Sequence, residues 1–525
     1  MRRIDSILLI ILTLLIKSST IQFESWGANQ IARLAEKKLL EHHGSSMPSV
    51  IVICANGLQA SFLGAYGNPW IHTPNLDRLA AGGFVFDWHY PDNLTTLPTR
   101  RSWWSGKYTL HDPDFGWGPL ENPADADLLV QLKTAGTDAT IISDCPYVND
   151  PGMGYTKPWG ESIIVRGSGY DAWCKPTPGD VDCTADPDFP LPARDDEHYK
   201  TWRDRWNHLL RNRLRTNRLA DESQTGVAQV VHHAQKWLES RTTDKPFLLW
   251  LDIFCPHGPW DLPLKYCDYY VAERAEEFDV HETGDLLLAE ATEAKAVRAL
   301  VDVPGGFVGE VISEDELLRL RKTYAGAVTM LDTWLGRLLD QIEADPRYAD
   351  AVVVFTSDQG EPLGEHGFVR RPVATVHEEL AHTPLVVKWP GSTDFGQRRR
   401  GLVQSVDLPA TIMHALGQPV PPGWHGQSLK TMIDDPEATI RDHALIGMDA
   451  EVFGYRTGQW LLVEPAEADV SDAEAENDDA ENRPMLFVKP DDVWEKSDVA
   501  SMEEDAVATL SGKLQQALDQ LTNAE

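Results

Sequence analysis

The sequence predicts an α/β fold with a doubly wound sheet, and three observations carry that reading. Apolar runs recur at residues 49–54, 139–142, 245–254, 351–355 and 384–389, the first of them β-branched, the pattern of central strands covered on both faces. Segments of helical periodicity lie between them, at 73–80, 128–135, 224–239 and 317–342. The joints are short and rich in Gly, Pro, Asn and Asp, so strand and helix alternate closely.

The first strand, Ser-Val-Ile-Val-Ile-Cys at 49–54, ends in the turn Ala55-Asn56-Gly57. Thr73 before Pro74 opens the first helix, whose apolar face is Leu76, Leu79 and Ala80, and Phe84-Val85-Phe86 reads as a short strand. Pro98 presets φ for a second helix start. Thr96 then stands just ahead of the helix N-terminus and Arg100 reaches the same spot, which makes an anion cradle with a hydroxyl in it. A helix-capping Thr beside a surface Arg fits those residues as well. Residues 151–194 are rich in Gly, Pro and Asp and read as a long surface excursion. The strand at 245–254 delivers Cys255-Pro256-His257 at its C-terminal end, where open α/β sheets bind ligands. The strand at 351–355 runs into Thr356-Ser357-Asp358-Gln359-Gly360.

Past about residue 440 the texture changes. Residues 455–463 and 485–488 are strand-like and flank an insertion, 464–481, with nine acidic residues and no Lys or Arg, which reads as a solvated loop. A last helix carries Val507, Leu510, Leu514, Leu518 and Leu521 on one face, so it docks on something. The expected organisation is a leader over 1–47, an α/β domain over 48–440 and a C-terminal subdomain over 441–525.

With 42% hydrophobic and 24% charged residues among 525, the chain can bury a large core. Its net charge of −34 opposes general binding to nucleic acid or acidic lipid. The apolar run at 7–16, behind Arg2 and Arg3, is short of the about 20 residues a membrane span needs and fits a secretory leader. Asp5 and the lack of an A-x-A site weigh against a leader, and Met47 offers a second start. Export to the periplasm or outside is favoured over a cytoplasmic location. Six cysteines are too few for a disulfide scaffold and form no zinc pattern. Cys54 reads as buried packing, while pairings of Cys174 with Cys183 and of Cys255 with Cys267 stay open.

Several motifs follow one another in a specific order. Leu63-Gly-Ala-Tyr-Gly-Asn68 comes first, then Thr73-Pro-Asn-Leu-Asp-Arg-Leu79, and then Thr96-Leu-Pro-Thr-Arg100 with Ser102 and Gly106-Lys107. Cys255-Pro-His-Gly-Pro259, Thr356-Ser-Asp-Gln-Gly360, Gly364-Glu-His-Gly367 and Trp389-Pro-Gly391 complete the order. In this the chain resembles the sulfatase family of the alkaline-phosphatase-like superfamily, from residue 49 to the C-terminus. The resemblance implies a three-layer αβα sandwich with a smaller C-terminal α+β subdomain. It implies catalytic roles for Thr96, Arg100 and His257, substrate binding by Arg371 and His377, and metal ligation by Asn56, Asp358 and Gln359.

The resemblance also marks departures. Active sulfatases carry Cys or Ser at the position of Thr96 and oxidise it to formylglycine; the Thr β-carbon already bears a methyl, so no formylglycine is expected. Of the family's acidic ligands for calcium or another divalent cation only Asp358 keeps its charge, so binding should be weak. The family's Lys-x-His falls on Asp144 and Pro146. The implied function is that of a sulfuric-ester hydrolase lineage with reduced or lost turnover and a residual anion pocket. The alternative is an active metal-dependent hydrolase of sulfate, phosphate or phosphonate esters with Thr96 as nucleophile. A small anionic ester or a sulfated glycan is the expected ligand, with no nucleic acid and no integral membrane span. Trp103, Trp104, Trp117, Trp159 and Trp173 crowd the segments around the pocket, as packing residues or as a sugar platform.

Overall fold

Strand β1 (Val50–Asn56) is buried along its whole length, and its side chains feed two separate cores. Ile51, Ile53 and Ala55 enter one, Val50, Val52 and Cys54 the other, which is the period-two alternation of a strand with cover on both faces. The computed structural model describes residues 48–110, 112, 114, 116–173, 199–216, 218–263, 265–266, 269–270, 303–392, 395–466 and 483–523. The leader over 1–47, Cys174, Cys183 and Cys267, and nearly all of the acidic insertion lie outside the described residues.

Along the chain follow β2 (Phe84–Tyr90), β3 (Asp138–Ser143), β4 (Glu161–Ile164), β5 (Phe247–Pro256), β6 (Gly306–Phe307) and β7 (Val352–Ser357). Next come β8 (Phe368–Val369), β9 (Leu385–Lys388) and β10 (Gln397–Gln404). The main sheet has the order β10-β2-β9-β7-β1-β5-β3-β4, parallel except at β9, which runs against both β2 and β7. Helices Pro74–Ala81, Gly226–Ser240 and Glu314–Ala344 cover the face of Ile51 through Leu76, Val230 and Leu331. Helices Thr96–Ser105, Asp127–Thr134 and Asp407–Ala415 cover the other through Trp103, Leu128 and Ile412. The result is three layers, helix on sheet on helix.

The C-terminal strands β11 (His443–Met448), β12 (Val452–Thr457), β13 (Trp460–Pro465) and β14 (Met485–Val488) form a separate antiparallel sheet. Ala444, Ile446, Leu461 and Val463 pack on Tyr90, Leu94, Val376 and Leu380 of the main part. Leu445, Tyr455, Leu462 and Leu486, on the opposite face, are covered by Leu510, Leu514 and Leu521 of the last helix, Glu504–Asn523. Among the described residues no helix is long and apolar enough to cross a membrane.

Four local readings change. The second helix begins at Thr96, not Pro98, because a proline in the first turn removes only an N–H that has no intrahelical acceptor. The excursion after Pro151 contains β4, an edge strand paired with β3. The strand-like stretch 455–463 is two strands of one hairpin, broken at Gly458-Gln459. Strand β10 escaped notice because Gln397-Arg-Arg-Arg400 is polar, as suits an edge, while its Arg399 is buried and donates to the carbonyls of Met432 and Ile433.

Candidate active site

Strands β7, β1 and β5 are neighbours, and their C-terminal ends deliver Asp358, Asn56-Gly57 and His257 to one place. Gly57 has φ +70, its N–H donates to Asp358 Oδ1 at 3.0 Å, and a Cβ there would stand 3.3 Å from His257 Cα. Thr96, at the start of its helix, lies one link away. Its carbonyl accepts from Arg100 Nη1 at 3.0 Å, and the same nitrogen donates to Asp358 Oδ2. Asn56, Thr96, Arg100, His257 and Asp358 are therefore one connected group.

Arg100 is fully buried and turns inward. Its Nε and Nη2 grip Asp252 as a fork, at 2.9 and 2.8 Å, and Nη2 also reaches Cys54 Sγ at 3.6 Å. With the two Nη1 bonds, all five N–H donors of the guanidinium have internal acceptors. Arg100 is thus held by Asp252, Asp358, Cys54 and the Thr96 carbonyl, rather than turned toward solvent. Asp252 was not anticipated, although an acid inside the apolar run Phe247–Pro256 had to have a cationic partner.

His257 stacks on Phe254 with centroids 4.7 Å apart, and its Nδ1 lies 2.5 Å from the Gly258 carbonyl. Burial first, then Arg370, Arg371 and Arg205, push its pKa well below the ordinary range. The ring is neutral, with Nδ1–H donated to Gly258 and Nε2 left as an acceptor, so it adds no positive charge to the cleft. The positive charge comes from the arginines around it. Arg371 Nη1 donates to Gln359 Oε1 at 2.8 Å and to the Leu94 carbonyl at 3.2 Å. The Arg370 guanidinium lies 4.4 Å over the Trp260 ring and 3.7 Å from Glu361. Arg205 lies 4.1 Å over Tyr170. A cavity of about 340 Å³ is lined by Leu97, Trp117, Pro146, Tyr147, Tyr170 and Trp173. Of the five tryptophans, Trp103, Trp104 and Trp159 are core residues, whereas Trp117 and Trp173 are exposed.

The sulfatase family model matches residues 48–418. The chain belongs to the sulfatase family. Among its relatives, a multifunctional alkaline phosphatase superfamily protein of Trinickia caryophylli is 28% identical over 69% of this chain and 71% of its own. An arylsulfatase of Clostridium perfringens is 23% identical over 75% of this chain and 80% of its own. The phosphonate monoester hydrolase of Agrobacterium radiobacter superposes with a TM-score of 0.62 at 18% identity, over 90% and 96% of the two chains. A protein solved with its substrate D-glucosamine-2-N,6-O-disulfate gives 0.64 at 17% identity, over 91% and 99%. The fold is alkaline-phosphatase-like, and the family and its neighbours are hydrolases of sulfate or phosphonate esters.

Within the sulfatase frame, the expected metal donors do not fit a divalent cation. Asn56 Oδ1 is buried and accepts no hydrogen bond, but it is neutral. Gln359 Oε1 is engaged by Arg371, and both oxygens of Asp358 accept from Gly57 and Arg100. An acidic side chain at Gly57 would need a left-handed backbone and would press on His257. The ring of His377, expected at the substrate, stacks on His366 at 3.8 Å, with Nδ1 3.3 Å from Glu495 Oε2. His366, His377 and Glu495 place ligand atoms within 4.8 Å of one another, a possible metal triad. With the rings only 9° from parallel, their in-plane lone pairs run side by side and meet at one ion only after a ring rotates.

Asp144, where the resemblance places a Lys, lines a small cavity together with Phe254 and His257. Its Oδ1 accepts from the Phe254 N–H and its Oδ2 from the Ser168 hydroxyl, each at 2.7 Å. Burial pushes its pKa up from 3.8 to about 6. The folded state therefore holds this proton more tightly than the unfolded one, so stability is full below about pH 4 and falls by about 3 kcal/mol as pH rises to about 6. Asp144→Asn is expected to flatten the Tm profile between about pH 4 and 6 and to raise Tm at neutral pH. An unchanged slope in thermal melts across that range would place the titration elsewhere.

Proposed function

We propose that this sulfatase-family protein binds a small sulfate or phosphonate ester at the arginines around His257 and has lost ordinary turnover. The observation that carries the reading is the placing of Arg371 on Gln359 and the Leu94 carbonyl and of Arg370 over Trp260, beside a buried His257 whose pKa these arginines help to lower. An anion beside that imidazole meets three guanidinium groups and no neighbouring positive charge on the ring itself. Loss of turnover is supported by the state of Thr96. Its hydroxyl has no hydrogen-bond partner among the described residues, and a threonine needs an adjacent base or cation to attack an ester. Asp144 and Pro146 supply neither.

Calorimetry with inorganic sulfate and methyl phosphonate, together with assays on aryl sulfate and phosphonate esters, tests both halves. Binding is expected without turnover above background. Arg371→Ala is expected to weaken binding by roughly 10- to 100-fold, the range for losing a hydrogen bond to a charged group. Turnover that Thr96→Val abolishes would establish the alternative, a hydrolase with threonine as nucleophile. Absence of binding by either anion would remove the proposal.

A further inference from the structure

From the arrangement of Arg100, Asp252 and Asp358, we infer that Arg100 is a built-in cation standing where the family's divalent ion would sit, so the pocket holds its shape without metal. Three geometric facts lead there. The guanidinium touches the one charged residue retained from the expected ligand set, Asp358, and its Nε and Nη2 engage both oxygens of a second buried carboxylate, Asp252. The three side chains are wholly buried, so these bonds are not exchanged for water. All five donors are engaged, through Asp252, Asp358, the Thr96 carbonyl and Cys54, so the side chain is fixed from every edge.

A divalent ion needs several charged oxygens directed at one point. Here one positive charge already offsets the two carboxylates, leaving a single net negative charge, and an ion drawn to Asp358 would lie against the guanidinium in a site without water to screen them. Neither neutral donor tips this balance. Asn56 Oδ1 points into the buried site without a partner, and Gln359 is held by Arg371. Position 57, from which a further carboxylate would have to come, has the left-handed backbone that favours glycine and packs on His257. Ester binding at the arginine rim is a separate matter, since Arg370 and Arg371 do not contact Asp252 or Asp358 through any hydrogen bond or ion pair in the described residues.

Elemental analysis of the purified full chain, with thermal shifts in Ca²⁺, Mg²⁺, Mn²⁺ and Zn²⁺, is the test. The unmodified protein is expected to carry no stoichiometric ion and to show no shift that Asp358→Asn abolishes. Arg100→Met frees the two carboxylates and is expected to gain divalent affinity on the order of tenfold or more. Arg100→Lys keeps the charge and should gain none; an equal gain in both variants would overturn the inference, because charge would then not be what excludes the ion. Should Arg100→Met fail to fold, the unmodified protein decides alone. A stoichiometric ion that Asp358→Asn releases overturns the inference, and its absence together with the missing shift supports it. Anion calorimetry on the same samples separates failure here from failure of ester binding.

Discussion

Asp252→Ala is expected to destabilise the protein by about 3–5 kcal/mol, the cost of leaving one partner of a buried ion pair alone. That is a large fraction of the roughly 5–15 kcal/mol a domain has to lose. The reason lies in the fork: without Asp252, Nε has no acceptor, and Nη2 keeps only the weak contact to Cys54 in a site closed to water. Desolvation of a guanidinium is tolerable only while its donors are engaged. Adding Arg100→Met to Asp252→Ala should restore part of the loss, because the stranded charge goes with it. Denaturant unfolding of the two single variants and the double variant measures the coupling. Additive losses would mean that Arg100 finds another acceptor, and the reading of a locked guanidinium would fail.

A second large effect is expected at Lys489→Met, some distance from the pocket. Lys489 is buried at the end of β14, where its Nζ donates to Glu378 Oε2 at 3.1 Å, to the Val493 carbonyl at 2.9 Å and to Glu495. It joins the C-terminal sheet to the short helix Glu378–Ala381, whose Leu380 carbonyl in turn accepts from the Gly360 N–H two residues past Asp358. Removing the ammonium leaves two buried carboxylates facing each other, again for about 3–5 kcal/mol. Burial alone would raise the pKa of Glu378, but His382 and Lys489 outweigh it and hold the group well below its ordinary 4.5. That stability is therefore present above about pH 4.5 and is lost as the pH falls below it. Lys489→Met should show a lower Tm at neutral pH and a shallower loss toward acid; an unaltered acid limb would exclude this ion pair as its source.

What the sequence disclosed follows from where each signal is stored. Strands β1, β5 and β7 are mainly apolar and buried, so a central position can be read from them locally, and with it the meeting of Asn56, His257 and Asp358. The edge strand β10 carries its partner information in β2 and could not be recognised from its own polar residues. Arg100 was legible as a site residue, whereas its engagement depends on Asp252, 152 positions away, and no local pattern contains that distance. The resemblance places His377 at the substrate, and in the structure its ring stacks on His366 and lies beside Glu495 of the C-terminal part.

The strand order of the main sheet also governs how the chain comes into being. β1 is the first strand of that sheet to be made, but its neighbours are β5 and β7, and Val50 finds Val352 only after about 300 further residues. At a synthesis rate of about 5–20 residues per second, this buried strand waits roughly 15–60 s for its second edge. Its first edge, Val50 against Leu248, arrives only after about 200 residues. A nascent chain of this topology leaves a central apolar strand without its second neighbour for much of its translation, so its yield in a cell depends on whatever shields β1 until β7 emerges.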